Sequence, residues 1–119
     1  MARVLLDTDV LIDHLTDASK KLSASLSDAA YSSITRAELY SAPQVDEAGI
    51  DRALLPFDEI SVDRAIAEEA GRIRRTTRIK LPDALIAATA VVTKRKLITR
   101  NVRDFRKIKR LTIGGPPAP

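Results

Sequence analysis

A three-residue aliphatic run that ends in an aspartate constrains this chain most. Val4, Leu5 and Leu6 lead straight into Asp7, and Val10, Leu11 and Ile12 follow two residues later. A continuous aliphatic run bounded by polar residues suits a central parallel strand covered on both faces. Asp7 then sits at the carboxyl end of that strand, the edge where open parallel sheets bind their ligands. A carboxylate there is either a helix cap or a piece of chemistry.

The rest of the chain repeats the pattern. Residues 9–15 read as a short helix capped by Thr8 or Asp9, and 18–26 as a second helix with Leu22 and Leu26 on one face. Residues 29–34 read as a strand. A helix carrying Thr35 and Glu38 follows, stopped by Pro43. Residues 44–54 are weakly helical, with Gly49 against the assignment. Residues 57–62 form a strand whose acids place it near a sheet edge. Asp63 opens an amphipathic helix with Ala65, Ile66, Ala70 and Ile73 inward and Glu68, Glu69, Arg72 and Arg75 outward. Residues 76–80 are a loop. Pro82 suits the first turn of a helix that is apolar nearly all round from Ala84 to Val92. Residues 97–99 form a strand, Asn101 caps a helical turn, and 111–113 form a last strand. Strands that alternate with helices predict one α/β domain over residues 1–113: three layers, α/β/α, around a parallel sheet, with a disordered Gly/Pro tail over 114–119.

With 119 residues and 3% aromatics, the single core must be built from Leu, Ile, Val and Ala. The chain has no cysteine, which excludes disulfides and thiolate metal sites. Its N-terminus carries no signal-peptide pattern and no apolar stretch is long enough to span a bilayer, so a cytoplasmic protein without membrane association is expected. The net charge of +4 hides an asymmetry. Residues 1–71 hold six basic and fourteen acidic side chains, whereas 72–119 hold fourteen basic and two acidic ones, Asp83 and Asp104. Such a basic segment suits a polyanion or a solvated surface.

Four acids share one kind of location. Asp7 follows the first strand, Glu38 lies one turn past the second, Asp83 opens the apolar helix, and Asp104 lies one turn past the 97–99 strand. Each has a structural explanation. Thr35-x-x-Glu38 matches a capping box, Asn101-x-x-Asp104 a shorter version of it, and an acid such as Asp83 in a first turn is favoured by the helix dipole. Together they point elsewhere. Four carboxylates gathered on one sheet edge repel one another unless a cation joins them, and all-oxygen ligation suits Mg²⁺ or Mn²⁺. His14, on a polar helix face, is read as a surface residue.

The stretches Leu6-Asp7-Thr8-Asp9-Val10-Leu11-Ile12, Ser33-x-x-x-x-Glu38-Leu39, Leu81-Pro82-Asp83-Ala84-Leu85-Ile86-Ala87-Ala88-Thr89-Ala90 and Ile98-Thr99-Arg100-Asn101-x-x-Asp104-Phe105 resemble, in order, the motifs of PIN-domain ribonucleases, above all the VapC-type toxins of type II toxin–antitoxin pairs. The likeness runs from about residue 3 to about residue 113. It implies a Mg²⁺- or Mn²⁺-dependent endoribonuclease whose metal-binding and catalytic acids are Asp7, Glu38, Asp83 and Asp104. Asp9, Thr99 and Asn101 would be supporting polar residues. It also implies an RNA substrate, a cognate antitoxin and a homodimer. Arg100 and Arg103 flank the last motif and are the favoured RNA phosphate contacts. One departure is the short 41–51 stretch, where family members often carry a longer helical pair that helps to form the antitoxin groove.

Two other functions compete. A catalytically inactive PIN-like binding module would keep the fold and lose the acids, but all four are present. A phosphoacceptor receiver domain would need an aspartate directly after the third strand and a well-placed lysine after the last. Asp58 lies inside the third strand, and Lys107 and Lys109 are poorly placed. No glycine-rich nucleotide loop occurs.

Overall fold

A computed structural model describes residues 3–22 and 28–116. Its centre is β1 (Val4–Leu6), fully buried as the aliphatic run requires. Around it stand β2 (Ala30–Ser32), β3 (Asp58–Ile60), β4 (Lys96–Ile98) and β5 (Ile113–Gly114), all parallel, in the order β3-β2-β1-β4-β5. β3, the acidic strand, is an edge, as its composition demands. β1 and β4 are in register through Leu5–Leu97 and Leu6–Ile98.

The two-residue period of a strand sorts these side chains into two cores. Leu5, Ala30 and Leu97 pack on one face with α4 (Arg64–Thr77), α5 (Leu81–Thr93) and Phe105 of α6 (Val102–Phe105). Val4, Leu6, Tyr31 and Ile98 pack on the other with Val10 and Leu11 of α1 (Thr8–Thr16) and Leu54 of α3 (Glu47–Leu54). The result is the expected three-layer α/β/α sandwich. The alanines of α5 (Ala84, Ala87, Ala88 and Ala90) are wholly buried and bring the helix close to the sheet. A left-handed Lys94 at φ 56° turns the chain from α5 into β4.

Several boundaries differ from the sequence reading, each for a local reason. Asp7, not Thr8 or Asp9, is the N-cap of α1. β2 ends at Ser32, whose hydroxyl accepts from the Ile34 N–H at 3.0 Å and caps α2 (Ser33–Tyr40), so Ser33 and Ile34 are helical. α3 tolerates Gly49 because Asp46 caps the helix by accepting from the Gly49 N–H at 3.0 Å, and a side chain at 49 would collide with that carboxylate. In α4 the buried stripe is Ile66, Glu69, Ala70 and Ile73, so Glu69 is inside and Ala65 outside, the reverse of expectation. Glu69 reaches the interior because Arg72, at 3.3 Å, and Arg110 neutralise it. α4 also continues through 76–77, shortening the loop. Only a 3-10 turn, Ala18–Lys20, stands where the second helix was expected to begin, and residues 23–27 of that stretch lie outside the described residues. Gly114 pairs within β5 and does not begin the tail, of which 117–119 lie outside the described residues.

Among the described residues no helix is long and apolar enough to cross a membrane.

Candidate active site

The order β3-β2-β1-β4-β5 makes the gap between β1 and β4 a topological switch point. Chain leaving β1 returns on one side of it and chain from β4 on the other, so a crevice opens at the strands' carboxyl ends. Asp7 and Thr99 are the residues that follow these two strands. The Asp7 N–H continues the ladder to the Ile98 carbonyl at 2.9 Å, which fixes its backbone. Its side chain is 5% exposed. Oδ1 accepts from the Thr8 N–H at 2.8 Å and Oδ2 from the Thr99 hydroxyl at 2.7 Å. Thr99 is in turn aligned by the Asn101 N–H, which donates to Oγ1 at 2.9 Å.

Asp7 therefore keeps a carboxyl group in a buried place. Burial raises its pKa to about 7, and the charges of Asp9 and Asp83 push the same way, against the lowering effect of the Thr99 and Thr8 donors. Asp83, in the first turn of α5, is also raised, first by burial and then by Glu38, with smaller contributions from Asp104 and Asp9, while Lys80 pulls it down. Asp83 is thus the point at which the acids of four chain segments meet electrostatically.

Two further acids are held by polar neighbours. Thr8 Oγ1 donates to Glu38 Oε1 at 2.6 Å and lies 2.9 Å from Thr35 Oγ1. Having one proton, Thr8 must accept from Thr35 when it donates to Glu38, so the polarity runs Thr35 to Thr8 to Glu38. Thr35 is therefore a buried mid-helix residue that supports Glu38 from below, and the capping-box explanation fails, since the cap is Ser32. Asp104 Oδ2 accepts from Asn101 Nδ2 at 3.1 Å. Thr8 and Thr35 were not anticipated as site residues. The available signal was Thr8 lying between two acids, but nothing in the sequence pairs it with residue 35.

Asp9 Oδ2 accepts from the Arg100 N–H at 3.3 Å, whereas its Oδ1 is buried with no hydrogen-bond partner among the described residues. Arg100, expected to contact RNA, is already paired: its Nε lies 3.0 Å from Asp13 Oδ2 and 3.8 Å from Asp9 Oδ2. Arg103 is exposed. His14 is more constrained than a free surface residue. Its Nδ1 accepts from the Leu22 N–H at 2.9 Å and its ring meets Phe57 edge-on at 5.6 Å. Burial holds its pKa below the usual value, and its bond from Leu22 ties down the turn after α1.

The donors in this crevice are carboxylates and hydroxyls, with one buried carboxylate oxygen lacking a donor among the described residues and two acids, Asp7 and Asp83, raised partly by the charges of neighbouring carboxylates. That chemistry fits a hard divalent cation. The acids are electrostatic neighbours and not a finished cage: among the described residues no three are clustered closely enough to hold an ion as they stand.

The chain matches the model of the PIN domain over residues 4–111. No curated protein matches it by sequence. Among solved structures, it is 33% identical to a chain of a toxin–antitoxin complex from Klebsiella pneumoniae, with a TM-score of 0.80 over 98% of this chain and 99% of that one. A chain of the DNA-bound VapBC of Salmonella typhimurium superposes with a TM-score of 0.83 at 23% identity, covering 97% and 98% of the two chains. One from VapBC2 of Rickettsia felis, bound to a promoter DNA fragment, gives 0.81 at 21% identity, covering 96% and 98%.

Proposed function

This chain belongs to the PIN domain family, and from that premise we propose that it is a metal-dependent endoribonuclease, the toxin of a cytoplasmic toxin–antitoxin pair. The observation that carries the reading is Asp7, a buried carboxyl at the switch point whose pKa is lifted to about 7 by burial and by the neighbouring Asp9 and Asp83. A site evolved only for stability would not gather like charges. The cognate antitoxin is proposed because the 33%-identical relative comes from a toxin–antitoxin complex. A homodimer is part of the same reading, and light scattering checks it.

Asp7, Asp83 and Asp104 would hold Mg²⁺ or Mn²⁺, with Glu38 completing the set and the spare Asp9 oxygen available beside it. When bound, the ion supplies a water of lowered pKa and charge stabilisation at the scissile phosphate. The chain's own residues do the positioning. Thr99 and the Thr8 N–H leave Asp7 one orientation. Thr8, backed by Thr35, orients Glu38. Asn101 holds Asp104 through its side-chain amide while its backbone N–H steadies Thr99. Arg103 is the remaining candidate for a phosphate contact beside the acids; Arg100 would first have to leave Asp13.

The test is to incubate purified, antitoxin-free protein with a mixed RNA pool in Mg²⁺, in Mn²⁺ and in EDTA, with Asp7→Asn and Asp83→Asn alongside. Metal-dependent cuts that vanish in both variants are expected. A folded protein that cuts no RNA class in either metal would instead support the inactive binding module.

A further inference from the structure

Away from the acids, the β5 flank carries two cavities that meet at one residue. The first, about 640 Å³, lies between the second half of α4 and the segment after α6, and its cations include Arg72, Arg75, Lys107 and Lys109. The second, about 520 Å³, lies where α5 turns into β4, and its cations include Arg3, Lys94, Arg95 and Lys96. Arg110 lines both, so the two lie end to end along one basic groove that this side chain divides. Its single carboxylate, Glu69, is 5% exposed and is engaged by Arg72 and Arg110.

Arg95, in the second cavity, is 9% exposed and has no close ion-pair partner among the described residues. Its Nη1 donates to the Val4 carbonyl at 3.2 Å, and its Nε has no partner among the described residues. Burial and the neighbouring Arg3 work against its charge, while the Asp58 and Asp28 carboxylates favour it from farther off. Both cavities are larger than one phosphate and lined by several cations, which suits a repeating anion. At one end, Lys107 lies three residues beyond Asp104 and its N–H donates to the Asp104 carbonyl at 3.4 Å, so that end of the groove is one turn along the chain from an acid of the site. No aromatic side chain lines it, so it offers contacts to a backbone and no stacking on bases.

We propose that this groove holds the phosphodiester backbone of the RNA strand beyond the cleavage point, from α6 to the opposite edge of the sheet; the proposal rests on the ribonuclease reading above. Binding is then independent of sequence and grows with the length of RNA that reaches past the acids. An acidic polypeptide has the same charge repeat but lacks that continuity with the acidic site.

The test uses the full chain in EDTA, so that RNA binds without being cut. Anisotropy compares single-stranded RNA of about four and about twenty nucleotides across a salt series. The variant is Arg75→Gln/Lys107→Gln/Lys109→Gln, three exposed positions without ion pairs among the described residues. Lys109→Glu alone serves as a second variant, and circular dichroism reports folding. The triple variant should bind long RNA about tenfold or more weakly, with a log–log salt slope smaller by about two, and short RNA unchanged. Unchanged affinity for long RNA, or equal loss at both lengths, overturns the proposal. Tighter wild-type binding of polyglutamate than of RNA, lost in the triple variant, assigns the groove to an acidic polypeptide and also overturns it. Length-dependent RNA binding by a wild type that cuts nothing in Mg²⁺ or Mn²⁺ keeps the groove's ligand and defeats the cleavage reading.

Discussion

Thr99 Oγ1 donates to Asp7 Oδ2 at 2.7 Å, joining residues 92 apart in sequence across the switch point between β1 and β4. The bond holds the carboxylate form of a group that burial drives toward the acid. Thr99→Val keeps the shape and removes the donor. Hydrogen bonds to charged groups contribute about 1.5–3 kcal/mol, so cleavage near neutral pH should fall about tenfold or more, with the acid limb of the pH–rate profile moved upward. Thr99→Ser should restore both. A Thr99→Val enzyme with an unshifted profile would deny this role.

Asp7 also predicts how stability depends on pH. Its pKa in the folded protein is raised from 3.8 to about 7. Between those values the folded state retains a proton that the unfolded state has released. The stability tied to the protonated form is therefore complete below about pH 4 and drains as pH rises toward 7, with an upper size on the order of 4 kcal/mol. In EDTA, Asp7→Asn should flatten the curve of Tm against pH over that window. Parallel curves for wild type and variant would contradict the raised pKa.

Acids gathered for function destabilise the fold that carries them. Asp83 feels Glu38, Asp104 and Asp9 together. Asp83→Asn should lower cleavage about a hundredfold or more while leaving the metal-free Tm equal to or above wild type. Loss of both activity and stability would make Asp83 a structural residue.

A divalent cation should reverse the order. Mg²⁺ or Mn²⁺ should raise the wild-type Tm, more at pH 7.5 than at pH 5.5, because the ion competes with the proton on Asp7. Asp83→Asn should lose most of the gain. Calorimetry that finds equal gains in both proteins would place the ion elsewhere.

The tight α5–sheet contact sets the frame for all of this. Ala88 is 0% exposed in the core with Leu5 and Leu97. Ala88→Leu should cost about 1–3 kcal/mol by overpacking, seen as an earlier urea midpoint. A neutral effect would mean that the layer can move apart.

Much of the architecture was legible in the chain because it is written in local periodicity. Val4–Leu6 read as a buried strand, Asp63 as a helix start, Pro82 as a first-turn residue and the acidic third strand as an edge; each depends on residues within a turn or two. The four acids stood out because three follow strands and Asp83 heads an otherwise apolar helix, and their motifs carry the family likeness. Local rules failed where a distant partner decided. Glu69 looked solvent-facing until Arg110, 41 residues away, neutralised it inside. Thr35 looked like a cap until Ser32 took that place and Thr8 drew the Thr35 hydroxyl into the site. Arg100 looked free until Asp13 held it.

The sequence alone determined most of the strands and helices and which carboxylates open or follow them, since side-chain spacing and capping act over a few residues. Only the tertiary structure decided that Asp7 and Asp83 are pushed toward the acid form and which hydroxyls hold Asp7 and Glu38. Burial and Coulomb interactions depend on distance in space, and the fold brings Asp7, Glu38 and Asp104 each within electrostatic reach of Asp83.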